Sequence, residues 1–132
     1  MQLMRYINLL DRISHVKTRR CFVYNNTIFF AVPRVMMAQA IGPGASNIRN
    51  IQEQLGKKVK IIAEPKGTED AQNFVKDIVS PIRFKSLELK DGVFVLNAGS
   101  TSKASLIGRN KARLDELRAA VMDNFNIDLK IV

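Results

Sequence analysis

Tryptophan is absent, and histidine and cysteine occur once each. With Cys21 alone, no intramolecular disulfide can close and no cysteine-based zinc site can be assembled. His15 is the only histidine and reads as structural, and no Cys–His pair, Walker loop, metal-ligand cluster or Gly-x-Ser-x-Gly occurs. Glu69-Asp70 and Asp115-Glu116 read as helix-end and surface charges. No catalytic residue, metal or cofactor is therefore assigned, and an enzyme is not expected. Nowhere does an apolar run approach the roughly 18 to 20 residues that a membrane span needs. The start, Met1 to Arg12, is broken by charge where a signal peptide would be apolar. A cytoplasmic chain without membrane contact is the expectation.

Acidic residues are also scarce: 12 Asp/Glu stand against 21 Lys/Arg, a net charge of +9. Residues 1–66 hold 11 Lys/Arg against 3 Asp/Glu, a net of +8, while residues 67–132 hold 10 against 9, a net of +1. A polyanion met chiefly by the first half fits this asymmetry.

What the chain does have is a repeated turn. Ile41-Gly42-Pro43-Gly44-Ala45-Ser46-Asn47-Ile48 passes from an apolar residue through a glycine-bearing turn to the apolar face of a helix. Ile107-Gly108-Arg109-Asn110-Lys111-Ala112-Arg113-Leu114 does the same 66 residues later, half the chain length. Asn25-Asn26 and Asp91-Gly92, both suited to the positive φ of two-residue hairpin turns, are separated by the same 66 residues. Two independent landmarks with one offset indicate an internal duplication.

The rest of the chain fits that duplication. Leu3, Tyr6, Ile7, Leu10 and Ile13 recur at helical spacing. Arg20–Tyr24 and Thr27–Val32 are β-branched and aromatic runs around the Asn-Asn turn, hence a hairpin. Pro33 suits the first turn of a helix through Met36-Met37 to Ala40, with the methionines as core filler. Ile48, Ile51 and Leu55 form the stripe of the next helix, Gly56 caps it, and Val59–Ile62 is a strand. Residues 63–67 form a linker too short for two modules to wander. In the second half, Thr68 is expected to cap a helix that Pro81 stops, followed by strands over 83–89 and 93–96. Leu114, Leu117 and Val121 repeat the stripe, and a strand over 127–132 corresponds to the one at Val59, displaced by two inserted residues. Phe29, Phe30 and Phe94 read as core strand residues. The expected class is α+β: each half, 1–64 and 65–132, is α-β-β-α-α-β, a three-stranded mixed sheet with helices on one face. Units this small are marginal alone, so the two are expected to pack rigidly together as a monomer.

This order, with Ile-Gly-x-x-Gly-x-x-Ile at the turn between two helices, resembles the KH domain in its type II order. Two such units in tandem resemble the paired KH region of the NusA family of transcription termination/antitermination factors, and a chain of this length resembles its stand-alone archaeal form. The length is expected to leave no room for the polymerase-binding and S1 domains of the bacterial members. The resemblance implies single-stranded RNA as partner, gripped at the turns, with RNA polymerase as a further candidate partner. Carried onto this chain, the RNA-binding positions are Gly42, Pro43, Gly44, Ala45, Ser46, Asn47 and Arg49, then Gly108, Arg109, Asn110, Lys111 and Arg113. Both turns depart from the family pattern, since the fourth position is Ala45 in one and Lys111 in the other. Pro43 also lacks an N–H. The alternative is a KH-type adapter that binds protein, in RNA polymerase or a ribosome-associated complex.

Overall fold

The computed structural model describes residues 2–132 and divides into two compact units, one ending at Glu64 and one running from Pro65 to Val132. In the first unit, helix α1 (Gln2–Ser14) precedes the hairpin β1 (Arg20–Tyr24) and β2 (Thr27–Val32). Asn25 and Asn26 take φ of 51° and 59°, the geometry whose twist matches the flanking strands. A short helix α2 (Met37–Ile41), the glycine turn, helix α3 (Ser46–Leu55) and strand β3 (Lys58–Ala63) follow. Strand β2 lies in the middle, antiparallel to β1 and parallel to β3, as a two-helix crossover permits.

One sheet face meets the helices: Cys21, Ile28, Phe30, Val32, Val59 and Ile61 pack with Tyr6, Leu10 and Ala40 and with Ile51 of α3. On the other face, the Phe22 and Phe29 rings stack at 5.2 Å, with the Lys60 ammonium 5.8 Å above Phe29. Burial pushes the Cys21 thiol from its ordinary 9.0 up to about 12. Folded protein at pH 8 should therefore resist an aromatic disulfide reagent until denaturant exposes the thiol, whereas a fast reaction without denaturant would show the site to be open. The stability linked to keeping this thiol protonated is intact below pH 9 and falls as the pH climbs from there towards 12.

The second unit repeats the plan with α4 (Ala71–Val79), β4 (Ser86–Lys90), β5 (Val93–Asn97), α5 (Lys103–Ile107), α6 (Ala112–Phe125) and β6 (Asp128–Ile131). Its sheet order is β4-β5-β6, again with an antiparallel and a parallel pair. Phe74, Val75 and Ile78 of α4 and Leu106, Leu117 and Val121 of the later helices are buried, as are Leu87, Phe94, Leu96 and Leu129 of the sheet.

The repeat is less uniform than a single offset of 66. Strand pairing puts Val59 opposite Ile28 and Leu129 opposite Phe94, so the last strands correspond at an offset of 70. The insertion is therefore four residues, not two. It lies in α6, which has 14 residues where α3 has 10. Four residues are about one helical turn, so the longer helix leaves on the same side and the sheet is undisturbed.

Local details also differ from the sequence reading. The strand expected over 83–89 begins at Ser86. Pro33 is the residue before the first helical turn, not in it, and the chain passes through a 3-10 turn, Arg34–Met36, into α2. Gly67, not Thr68, precedes the turn into α4, and Asp70 accepts a hydrogen bond from the Lys66 N–H at 2.9 Å. Met36 is 39% exposed and its neighbour Val35 is 89% exposed, so Met36 fills no core; only Met37 packs against it.

Candidate nucleic-acid interface

Each glycine turn is one continuous bend between two helices. In the first, Gly42 takes φ 78°, ψ 164°, Gly44 takes φ 57°, ψ 29°, Ala45 takes φ 61°, ψ 28°, and Ser46 is already helical. In the second, Gly108 takes φ 75°, ψ 173°, Asn110 takes φ 54°, ψ 30°, Lys111 takes φ 62°, ψ 21°, and Ala112 is helical. Pro-Gly-Ala and Arg-Asn-Lys thus follow the same backbone path, and the duplication extends to the backbone dihedrals.

The first glycine of each turn is needed twice over. Its ψ near 180° at positive φ is a conformation open essentially to glycine alone. Its missing side chain also leaves the space that the residue five positions on fills. A Cβ on Gly42 would lie 2.8 Å from Ser46 Oγ and 2.9 Å from Asn47 Cγ, and one on Gly108 would lie 2.6 Å from Arg113 Cγ. The fourth positions are left-handed as well, which explains why the family pattern places glycine there. Ala45 and Lys111 hold that conformation at a cost of roughly 1 kcal/mol each. Asn110 tolerates it because asparagine favours that region.

The hydrogen bonds that close each bend use only part of its N–H groups. Ala45 donates to the Gly42 carbonyl at 3.0 Å and Ser46 to that of Pro43; Lys111 donates to Gly108 at 3.2 Å and Ala112 to Arg109. Since Pro43 has no N–H, the groups outside these bonds are those of Gly44 in the first turn and of Arg109 and Asn110 in the second. Pro43, Gly44, Arg109, Asn110 and Lys111 are all exposed, so these crowns face solvent. No carboxylate lies within either turn.

The residues read as RNA-binding therefore separate by what the structure does with them. Gly44, Arg49, Arg109, Asn110 and Lys111 are exposed on or beside the bends, and Ser46 opens α3 in an exposed position. Gly42 and Gly108 shape the bends from within. Asn47 is committed elsewhere: its Nδ2 donates to the Gln39 carbonyl at 2.9 Å and ties α3 to α2. Arg113 packs behind Gly108 and pairs with Glu116, Nη1 to Oε1 at 2.8 Å. Arg118 is held the same way by a two-pronged contact with Asp128, both prongs at 2.8 Å. That contact and the Leu129 N–H hold the Asp128 carboxyl below its usual range.

The sequence reading missed this packing of Asn47 and Arg113, although their shared spacing of five from the glycines is a signal in principle. A depression of about 620 Å³ in the second unit is lined by Gln72, Lys76 and residues 80–84 and shares no residue with the turn. Among the described residues, no helix is long and apolar enough to cross a membrane, and no group of His, Cys, Asp or Glu is placed to hold a metal.

Similarity to known proteins fits this geometry. A KH domain family model matches residues 27–76, from β2 into α4. A protein from Halococcus morrhuae named "Probable transcription termination protein NusA" is 22% identical over 128 residues, covering 95% of this chain and 90% of that one. A protein of the same name from Methanocaldococcus jannaschii is 29% identical over 84 residues, 64% of this chain and 44% of its own length. Another, from Methanococcus vannielii, is 28% identical over 113 residues, 83% of this chain and 64% of its own length. The chain thus spans nearly all of the first relative but two thirds or less of the other two. Among solved structures, that of APE1850 matches with a TM-score of 0.66 and 25% identity, over 99% of this chain and 98% of that one. The KH match runs from β2 of the first unit into α4, the same order of elements recurs in the second unit, and NusA-named relatives align along the chain, so its sequence and fold resemble those of a NusA-like KH protein.

Proposed function

We propose that this protein binds single-stranded RNA through the turns of both units, one KH domain over 1–64 and one over 65–132, and acts as a monomer on transcription termination or antitermination in the cytoplasm. The observation that carries the reading is the pair of exposed bends with one backbone path, each with at least one main-chain N–H outside its closing hydrogen bonds and no acid in the turn. Such a bend lets a phosphate come close to the main chain, and the helix dipole behind it favours the negative charge. KH domains hold extended nucleotides by this kind of contact. The first unit's Lys/Arg excess supplies the attraction that precedes the contact.

Asp substitutions at the crowns test this better than changes at Gly42 or Gly108, which would distort the bends. Gly44 has only Arg49 Nη2 near its would-be Cβ, at 3.9 Å, and both Gly44 and Asn110 sit where aspartate is tolerated. Gly44→Asp with Asn110→Asp should lower affinity for an unstructured RNA at least tenfold, as a charge-assisted contact is replaced by repulsion. Thermal unfolding should hardly change. Fluorescence anisotropy of a labelled RNA measures the first, and circular dichroism the second. For wild type, log affinity should fall with log salt at a slope near −0.7 per phosphate contacted. No binding by wild type at low salt would reject the reading. It would favour an adapter that docks on protein through the exposed Val35 and Met36.

A further inference from the structure

The duplicated turns place their charges in opposite ways. Because the two bends share one path, each residue beside the first has a counterpart 66 positions on in the second. Gly44 corresponds to Asn110, Ala45 to Lys111 and Pro43 to Arg109. About one turn into the following helix, Arg49 corresponds to Asp115 and Asn50 to Glu116. The first bend therefore has no charged side chain of its own and a cation at its flank. The second has two cations on the bend and two carboxylates at its flank.

The structure places Arg49 directly. Arg49 Nη2 lies 3.9 Å from the position a Cβ on Gly44 would take, so the guanidinium stands beside the crown. Among the described residues, Arg49 forms no ion pair and is exposed. A phosphate on the Gly44 N–H would therefore meet a forked cation as well. No acidic residue occupies the first turn of α3. In the second unit, Asp115 lies in the first turn of α6, and Glu116 draws the nearby Arg113 to itself at 2.8 Å. A phosphate at that bend would face the negative charge of Asp115 at the helix start where the first bend has the positive charge of Arg49. Arg109 and Lys111 are exposed and reach outward from the bend.

We propose that the two turns are unequal grips: Arg49 makes the first a close, main-chain phosphate site, whereas Asp115 keeps RNA off the main chain of the second and leaves it to Arg109 and Lys111 at arm's length. This inference rests on the RNA-binding reading and adds the assignment of tight binding to the first unit. Arg49 is a binding residue, and Asp115 a residue that sets selectivity between the two turns.

Exchanging the two charges tests it. Arg49→Asp, which gives the first unit the second unit's residue, should weaken binding of a short unstructured RNA at least tenfold. Asp115→Arg, the reverse exchange, should strengthen it severalfold. Glu88→Arg, on the exposed polar face of β4, makes the same change in net charge as Asp115→Arg away from the turns and should alter affinity by less than twofold. Removing Arg109 and Lys111 together, as alanines, should lower the salt slope by about 1.4 while costing less affinity at low salt than Arg49→Asp does. Photocrosslinking of the wild-type complex should map mostly to residues 42–49. Equal effects of Asp115→Arg and Glu88→Arg, or equal losses from the two turns, would overturn the inference while leaving RNA binding in place. No RNA binding by wild type would overturn both.

Discussion

Gly108→Ala should destabilise the second unit by about 2 to 4 kcal/mol, far more than an alanine at an ordinary surface turn. Two costs add. Alanine must adopt φ 75°, ψ 173°, a region that L side chains essentially never occupy. Its methyl group must also stand where Arg113 does: Cγ lies 2.6 Å away, Cβ 2.9 Å and the backbone nitrogen 3.0 Å. The last contact matters most, because a backbone atom cannot rotate aside as the end of a side chain can. Relief requires the start of α6 to move, and with it the path through Asn110 and Lys111. For a unit of this size the cost corresponds to a fall in melting temperature of roughly 10 to 25 °C. RNA affinity should fall as well, through lost geometry and not through charge, so the salt slope should change little. For Gly42→Ala the three nearest atoms are side-chain atoms of Ser46 and Asn47, so its penalty should be the smaller of the two. Scanning calorimetry of both variants checks the order. Gly44→Ala, with nothing nearer than 3.9 Å, should be the mildest of the three. A Gly108→Ala protein that melts with wild type would show that the bend is not held by that glycine.

The duplication was readable because turn chemistry is local. Asn25-Asn26 and Asp91-Gly92 can hardly be anything but hairpin turns, and both take positive φ in the structure. The α+β order and the central place of β2 and β5 follow from strand signals and the handedness of crossovers. Insertions were less legible. Four residues in α6 amount to slightly more than one helical turn, so they leave the phase of the apolar stripe nearly unchanged, and only strand pairing shows where they went. Exposure at the start of α2 was hidden for another reason: Val35 and Met36 look like core residues by type, but a 3-10 turn points them away from the sheet. The candidate site was legible as a place but not as a set of roles. Periodicity puts Asn47, Arg49 and Arg113 near the bends, but only the contacts show Asn47 tied to Gln39, Arg113 held by Glu116, and Arg49 left beside the crown.

Phe94→Ala should have an effect as large as that of Gly108→Ala, by a different route. The extra turn of α6 ends at Phe125, whose ring meets Phe94 edge-on at 5.4 Å and Phe74 edge-on at 5.5 Å. One aromatic from the added turn thus joins α4, β5 and α6. Phe94 is 2% exposed and lies on the central strand, paired with Leu89 on one side and Leu129 on the other. Removing its ring opens a cavity that neighbouring strands, fixed by their ladders, cannot close, at a cost of about 3 to 5 kcal/mol. That is a large part of what a unit of residues 65–132 can hold in reserve. Phe94→Leu keeps most of the volume and loses chiefly the ring geometry, so its cost should be about 0.5 to 1.5 kcal/mol. Urea titration followed by circular dichroism separates the two, since both should shift the midpoint and only the alanine should shift it drastically. The functional consequence follows from the unequal grips. If tight binding lies with Arg49 and Gly44, Phe94→Ala should cost less RNA affinity at low salt than Arg49→Asp does, although it harms the fold far more. An RNA affinity that collapses with the second unit would instead place the principal contact at Arg109 and Lys111.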